Sequence, residues 1–316
     1  MSTETFNCYY SIVERIIGLK IDVDTYLGMR EGVPKILSIL KTYNIRGSFF
    51  VPMGYDNTGR AIRRVFTRRG FLSKVKRIGV VKTYGIKTLL YGVFLPGPKI
   101  AEKNVGILKR ILTDGHELGI HGYDHVFWHD RIKKLGYERT KIEIDKAVET
   151  FTRLSGQKPK SFASPGWMVN VHALKILKDY GFSYSSDTRG RNPFYPVMGG
   201  EFIPILQIPT TLPTLDEIVG IYGSDELSLF AHYKNLLSFF NVLTIHAEIE
   251  GNNWANFLKI FFERTLESGY RFLALTEIAE NVDHLSVPQH EIIYGVVGGR
   301  AGEVCIQGPK IEGSES

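Results

Sequence analysis

The chain has 316 residues, 43% hydrophobic and 12% aromatic, enough to bury the core of one large globular domain. Cys8 and Cys305 are its only cysteines, which excludes a disulfide framework and a CxxC metal knuckle and points to a reducing compartment. The net charge of +6 is uneven: Asn57 to Ala101 holds eleven cations and no acid, so the rest of the chain carries an excess of acids.

The first residues carry acids and only a short apolar run, which reads as neither a signal peptide nor a spanning helix, and the expected location is cytoplasmic. "IIGLKIDVD" then reads as a strand ending near Asp24, and "VPKILSILKTYN" as a helix opening on Pro34. "RGSFFV" is a second strand, followed by the basic segment. "AEKNVGILKRILTDG" reads as a helix stopped by Gly115, "ELGIH" as a strand ending at His121, and Glu138 to Ser155 as a long helix. "SFAS" and "YSSD" are strands on either side of the helix "NVHALKILKDYG". "VLTIHAE" is a late apolar strand, followed by the helix "WANFLKIFFERTLESG" and the strand "RFLAL". This alternation predicts an α/β fold, a distorted (β/α) barrel of about seven parallel strands spanning residues 10–281, with a basic amphipathic insertion at 57–101 after the second strand. Residues 282–316 are left as a tail of unassigned structure.

Four of the nine histidines fall between 116 and 129. His121 and His125 would share one face if the chain turns into a helix after its strand, and two imidazoles so placed can hold one metal ion. A carboxylate is the natural third ligand. "DVD" offers one of Asp22 and Asp24 while leaving the other free, and alternate strand residues point the same way. Asp22, Asp24, His121, Asp187 and His246 all fall at carboxyl ends of predicted strands, where barrels of this kind assemble active sites. Chance spacing and helix capping are the plain alternative for HxxxH taken alone. His129, a further turn along, is expected behind the ligands or on the surface, and His116 to cap or pack at the opposite end.

In order, "DVD", "HGYDH", "SPGW", "SSDTRG" and "TIHAE" resemble the motifs of the polysaccharide deacetylase superfamily with NodB homology. "IDVDTYLGMREGVPKIL", "PGWMVN", "QIPTTLPTLDEIVG" and "TIHAEIEG" are similar to its 4-deoxy-4-formamido-L-arabinose-phosphoundecaprenol deformylase branch, over roughly Gly18 to Glu280. The resemblance implies metal-dependent hydrolysis of an N-acyl group, here formyl, in lipid A modification and polymyxin resistance. It implies Asp24, His121 and His125 as ligands of a divalent ion, with zinc the first choice and cobalt, manganese or iron(II) also compatible. It further implies Asp22 as general base, His246 as general acid, and Asp187 as the group orienting His246. The same site could serve an N-deacetylase of peptidoglycan or another N-acetyl sugar. Two departures stand out. Many members place an arginine before the proline of the third motif to pair with the base; this chain has "FASPGW", and Arg189 is the candidate substitute. The branch also tends to an arginine where this chain has Met168.

Arg63, Arg64, Arg68, Arg69, Lys74, Lys76 and Arg77 alternate with large apolar residues, the composition of a segment lying in a membrane interface. Each cation is worth about 1 kcal/mol at an anionic surface. A lid packed on the barrel would have the same composition; nucleic acid fits the apolar clusters less well and is not an expected partner. An undecaprenyl-phosphate-linked amino sugar as substrate would need such a surface, on the inner face of the cytoplasmic membrane. Trp167 and Arg189 are candidate sugar contacts, as is Thr211 with its neighbours Thr210 and Thr214, although turn capping also accounts for the threonines. Glu248 shares the face of His246 and could orient a cation or bind substrate.

Overall fold

The computed structural model describes residues 14–63 and 88–311. Strand β1 (Arg15–Asp22) is the hub of a parallel sheet that also contains β2 (Ser48–Val51), β3 (Glu117–Ile120), β4 (Ser161–Phe162) and β5 (Tyr184–Ser185). Between β5 and the next barrel strand the chain makes β6 (Tyr195–Met198) and β7 (Glu201–Phe202), a hairpin outside the barrel. Then come β8 (Leu206–Gln207), β9 (Phe240–His246) and β10 (Tyr270–Leu273). β9 runs beside β1 from Ile16 to Asp22, β10 meets the first half of β1, and β2 its last residues. From there the order is β2-β3-β4-β5-β8.

The ring closes without a ladder between β8 and β9. Thr211 and Leu212 N–H both donate to Val242 O, at 3.1 and 3.2 Å, and Thr211 Oγ1 accepts the Val242 N–H at 2.9 Å. Seven parallel strands therefore surround the lumen, with β10 added alongside β1; the parallel barrel is as expected, although the sequence reading counts β10 among its seven strands and has none at the two-residue β8. Ile16, Phe50, Tyr184, Leu206 and Val242 pack within the sheet. Ile17, Leu19, Ile21 and Val23 belong to the larger cluster with the helices. β1 is thus buried on both faces, which is why it reads as a nearly continuous apolar run.

The segment left unassigned is structured. β11 (Gln289–Val296) and β12 (Glu303–Lys310) form an antiparallel hairpin, and β11 lies parallel to β6, giving a second four-stranded sheet. This sheet is tied to the barrel at Arg189, whose N–H donates to Cys305 O and whose carbonyl accepts the Gln307 N–H. The Arg63 side chain and the whole of Arg64, Arg68, Arg69, Lys74, Lys76 and Arg77 lie outside the described residues. Among the described residues no helix is long and apolar enough to cross a membrane.

Candidate metal centre

Three ligand atoms converge at the carboxyl ends of β1 and β3. Asp24 Oδ1 lies 3.4 Å from His121 Nε2 and 3.1 Å from His125 Nε2, and the ligand atoms of the three residues lie within 4.8 Å of one another. His121 is the first residue past β3, and its Nδ1–H donates to Ala163 O at 2.7 Å, which fixes the tautomer and turns the Nε2 lone pair toward Asp24. His125 opens the helix His125–Arg131, capped by Asp124, whose side chain accepts the Phe127 N–H. The helix begins only at His125, so the two rings are brought together by the end of β3 and the start of this helix and not by one helix face. Asp24 Oδ1 is buried and has no hydrogen-bond partner among the described residues. Two imidazole nitrogens and an orphaned carboxylate oxygen aimed at one point are the donor set of a catalytic divalent-metal site. Burial alone would raise the Asp24 carboxyl, but the facing His125 and His121, with His246 beyond, hold it well below the usual carboxylate range.

Register explains how Asp22 and His246 meet. They are paired residues on the adjacent parallel strands β1 and β9, so their side chains leave the same face one strand spacing apart. Glu248, two residues on, fixes the other side of the site: its Oε1 accepts from Asp24 N, Thr25 N and Thr25 Oγ1, holding the loop that carries Asp24. Burial, and then the Asp24 charge, push the Glu248 carboxyl up to about 8.

The cation missing from the third motif is supplied elsewhere. Lys20 Nζ lies 3.3 Å from Asp22 Oδ2 and donates to Ser186 O at 3.1 Å, with no solvent exposure. It precedes Asp22 by two on the same strand, so the pleat delivers it to the same cavity. Burial lowers the Lys20 ammonium, opposed by Asp22 and Asp187. Arg189 does not take this place. Its Nη1 donates to both Glu217 oxygens, at 2.7 and 3.0 Å, and its Nη2 to Leu212 O. Replacing Lys20 with Met should lower kcat about ten- to a hundredfold with metal content and KM little changed, and the same change added to Asp22→Asn should cost little more; additive losses would show that the two residues act separately.

The other expected positions divide. Asp187 does not contact His246: it accepts from Ser164 N–H and Gln207 Nε2, and burial raises its carboxyl despite these donors. The carboxylate facing His246 Nδ1 is Asp216 Oδ1, at 3.9 Å, from the helix Leu215–Ile218. Thr211 spends its hydroxyl on the barrel seam, and Thr214 caps that same helix. Trp167 is 2% exposed; its indole N–H donates to Thr210 Oγ1, and its ring meets the His246 ring edge-on at 6.4 Å. Gly166 and Trp167 both have positive φ, a rarity for tryptophan that holds the ring in the site wall. A Cβ on Gly166 would fall 2.6 Å from His129, which is buried behind the ligands. His116 packs on Phe49 at the far end of its strand. Met168 is buried in the outer core.

A parallel barrel with an Asp-His-His cluster and with Asp22 and His246 side by side at its carboxyl end fits a hydrolase of amide bonds. The chain belongs to the polysaccharide deacetylase family, which it matches over residues 14–185. It is 36% identical, over 95% of its length and 97% of the relative's, to a Shewanella sediminis protein with the assigned name 4-deoxy-4-formamido-L-arabinose-phosphoundecaprenol deformylase ArnD. A Wigglesworthia glossinidia brevipalpis protein of the same assigned name is 33% identical over 89% of this chain and 98% of its own. In fold, it is similar to a Mycobacterium smegmatis crystal structure described as that of a polysaccharide deacetylase, with a TM-score of 0.63 and 17% identity over 91% of this chain and 97% of that one.

Proposed function

We propose that this protein removes the formyl group from a lipid-linked 4-formamido sugar at the inner face of the cytoplasmic membrane. One observation carries the choice of formyl over acetyl: the likeness to the two deformylases runs over nearly the whole of both chains. Asp24, His121 and His125 hold a divalent ion, zinc by first choice, and when bound it supplies polarisation of the amide carbonyl and acidification of water. Asp22, aimed by Lys20, takes a proton from the attacking water. Water oxygen bonds to the formyl carbon, the carbon–nitrogen bond breaks, and His246 gives its proton to the departing amine, leaving formate and a free amino sugar. Trp167 walls the cavity beside His246 and limits water there. Metal-loaded protein should release formate from a 4-formamido-arabinosyl phosphodiester at least a hundredfold faster than it releases acetate from the 4-acetamido analogue. Equal rates would turn the reading toward a general N-deacylase.

The membrane partner is supported by the ends of the basic segment. Val93, Phe94 and Leu95 are exposed at 50, 79 and 41%, in a turn whose Gly92 carbonyl accepts from Arg60 Nε. Apolar side chains at the tip with cations at the base suit a bilayer surface. Changing Phe94 to Asp should weaken binding to phosphatidylglycerol vesicles by about tenfold or more, the loss expected for one buried aromatic, with metal content unchanged. Undiminished sedimentation with the vesicles would remove this turn from membrane contact.

A further inference from the structure

We infer that Arg300, carried into the site by the turn between β11 and β12, binds the phosphate that joins the sugar to its lipid. This rests on the function proposed above. In a 4-formamido pyranosyl phosphate, the amide on C4 and the phosphate on C1 sit at opposite ends of one ring. A sugar with its amide beside Asp22 and His246 therefore presents its phosphate one ring-length away, where a cation is needed.

Trp167 neighbours both groups. Its ring meets His246 at 6.4 Å, and the Arg300 guanidinium carbon lies 4.5 Å from the ring centre. Arg189 lies 5.0 Å from the same ring, with its Nη1 on Glu217 and its Nη2 on Leu212 O. Arg300 Nη1 approaches Glu217 Oε1 at 3.7 Å, longer than either Arg189 contact. Two guanidinium groups thus share the Glu217 carboxylate. The Arg300 side chain is only 9% exposed, so an anion meeting it is poorly screened. A guanidinium fork matches phosphate geometry.

The turn is fixed rather than loose. Gly299 has φ +77, and a Cβ there would fall 2.1 Å from Glu217 O, so the turn presses against the backbone of the residue that Arg189 holds. The hairpin left unassigned in the sequence thereby contributes to substrate recognition.

The test compares two substrates of the metal-loaded full chain: the 4-formamido-arabinosyl phosphodiester of a short prenyl alcohol, and the uncharged methyl glycoside of the same sugar. Wild type should prefer the phosphodiester in kcat/KM. Arg300→Gln should raise KM for it roughly ten- to a hundredfold with kcat within about threefold, leave the methyl glycoside unchanged, and weaken calorimetric binding of the deformylated phosphodiester to metal-free protein to match. Equal loss on both substrates, or none on either, overturns the inference. If Arg300→Gln does not fold, the wild-type comparison decides: release of formate from both substrates with equal kcat/KM overturns the role of Arg300 and leaves the deformylase reading standing. Formate from neither substrate sinks that reading and this one with it.

Discussion

Asp24→Ala and His125→Ala proteins should lose bound metal and activity together, with kcat/KM falling by more than about a thousandfold. The geometry makes the loss steep. Asp24 Oδ1 is the point toward which both imidazole nitrogens are directed, so removing it leaves two neutral ligands and no charge to offset a divalent cation. Removing His125 leaves His121, held to Ala163, and one carboxylate. Elemental analysis of the purified variants reads the first effect, formate release the second. A third reading follows from linkage: an ion present at a thousand times its dissociation constant stabilises the fold by about 4 kcal/mol, so a chelator should lower the melting temperature of wild type and leave the Asp24 variant unmoved. One equivalent of metal in active Asp24→Ala protein would dismantle the assignment.

Asp22→Asn should cost about 10² to 10⁴ in kcat while the ion stays bound, the range of a lost general base. Asn keeps the shape and cannot accept the proton. The change also leaves Lys20 buried with Asp187 as its remaining opposing charge, so some thermal stability should go with the activity. Metal retention separates this variant from the ligand variants, and the absence of any further loss in Lys20→Met/Asp22→Asn would identify the pair as one unit. Full activity in Asp22→Asn removes Asp22 from the chemistry.

The Asp24, His121 and His125 cluster and the barrel were legible because each rests on local spacing: two along β1, four between the end of β3 and the opening of the next helix, and an apolar run for each long buried strand. Lys20 is equally legible in principle, since Lys20, Asp22 and Asp24 share the period-two face, but Arg189, two residues past Asp187, offers itself as the missing cation. Asp216 could not be read, because its approach to His246 depends on where a four-residue helix docks. Thr211 looked available for the sugar because its role lies in a seam made by residues distant in sequence. The C-terminal strands went unassigned for the same reason: β11 pairs in parallel with β6, about ninety residues earlier, and nothing local announces that partner.

Because Asp22 and His246 are neighbours across two laddered strands, the gap between the proposed base and acid is set by backbone hydrogen bonding and not by any loop. Their spacing is inherited with the architecture, so drift in the peripheral hairpins can retune which sugar is admitted while the proton relay stays in tune. A slip of one residue in that ladder would send His246 outward and silence the enzyme in a molecule still compact, making catalysis a more sensitive gauge of correct assembly than size or helicity.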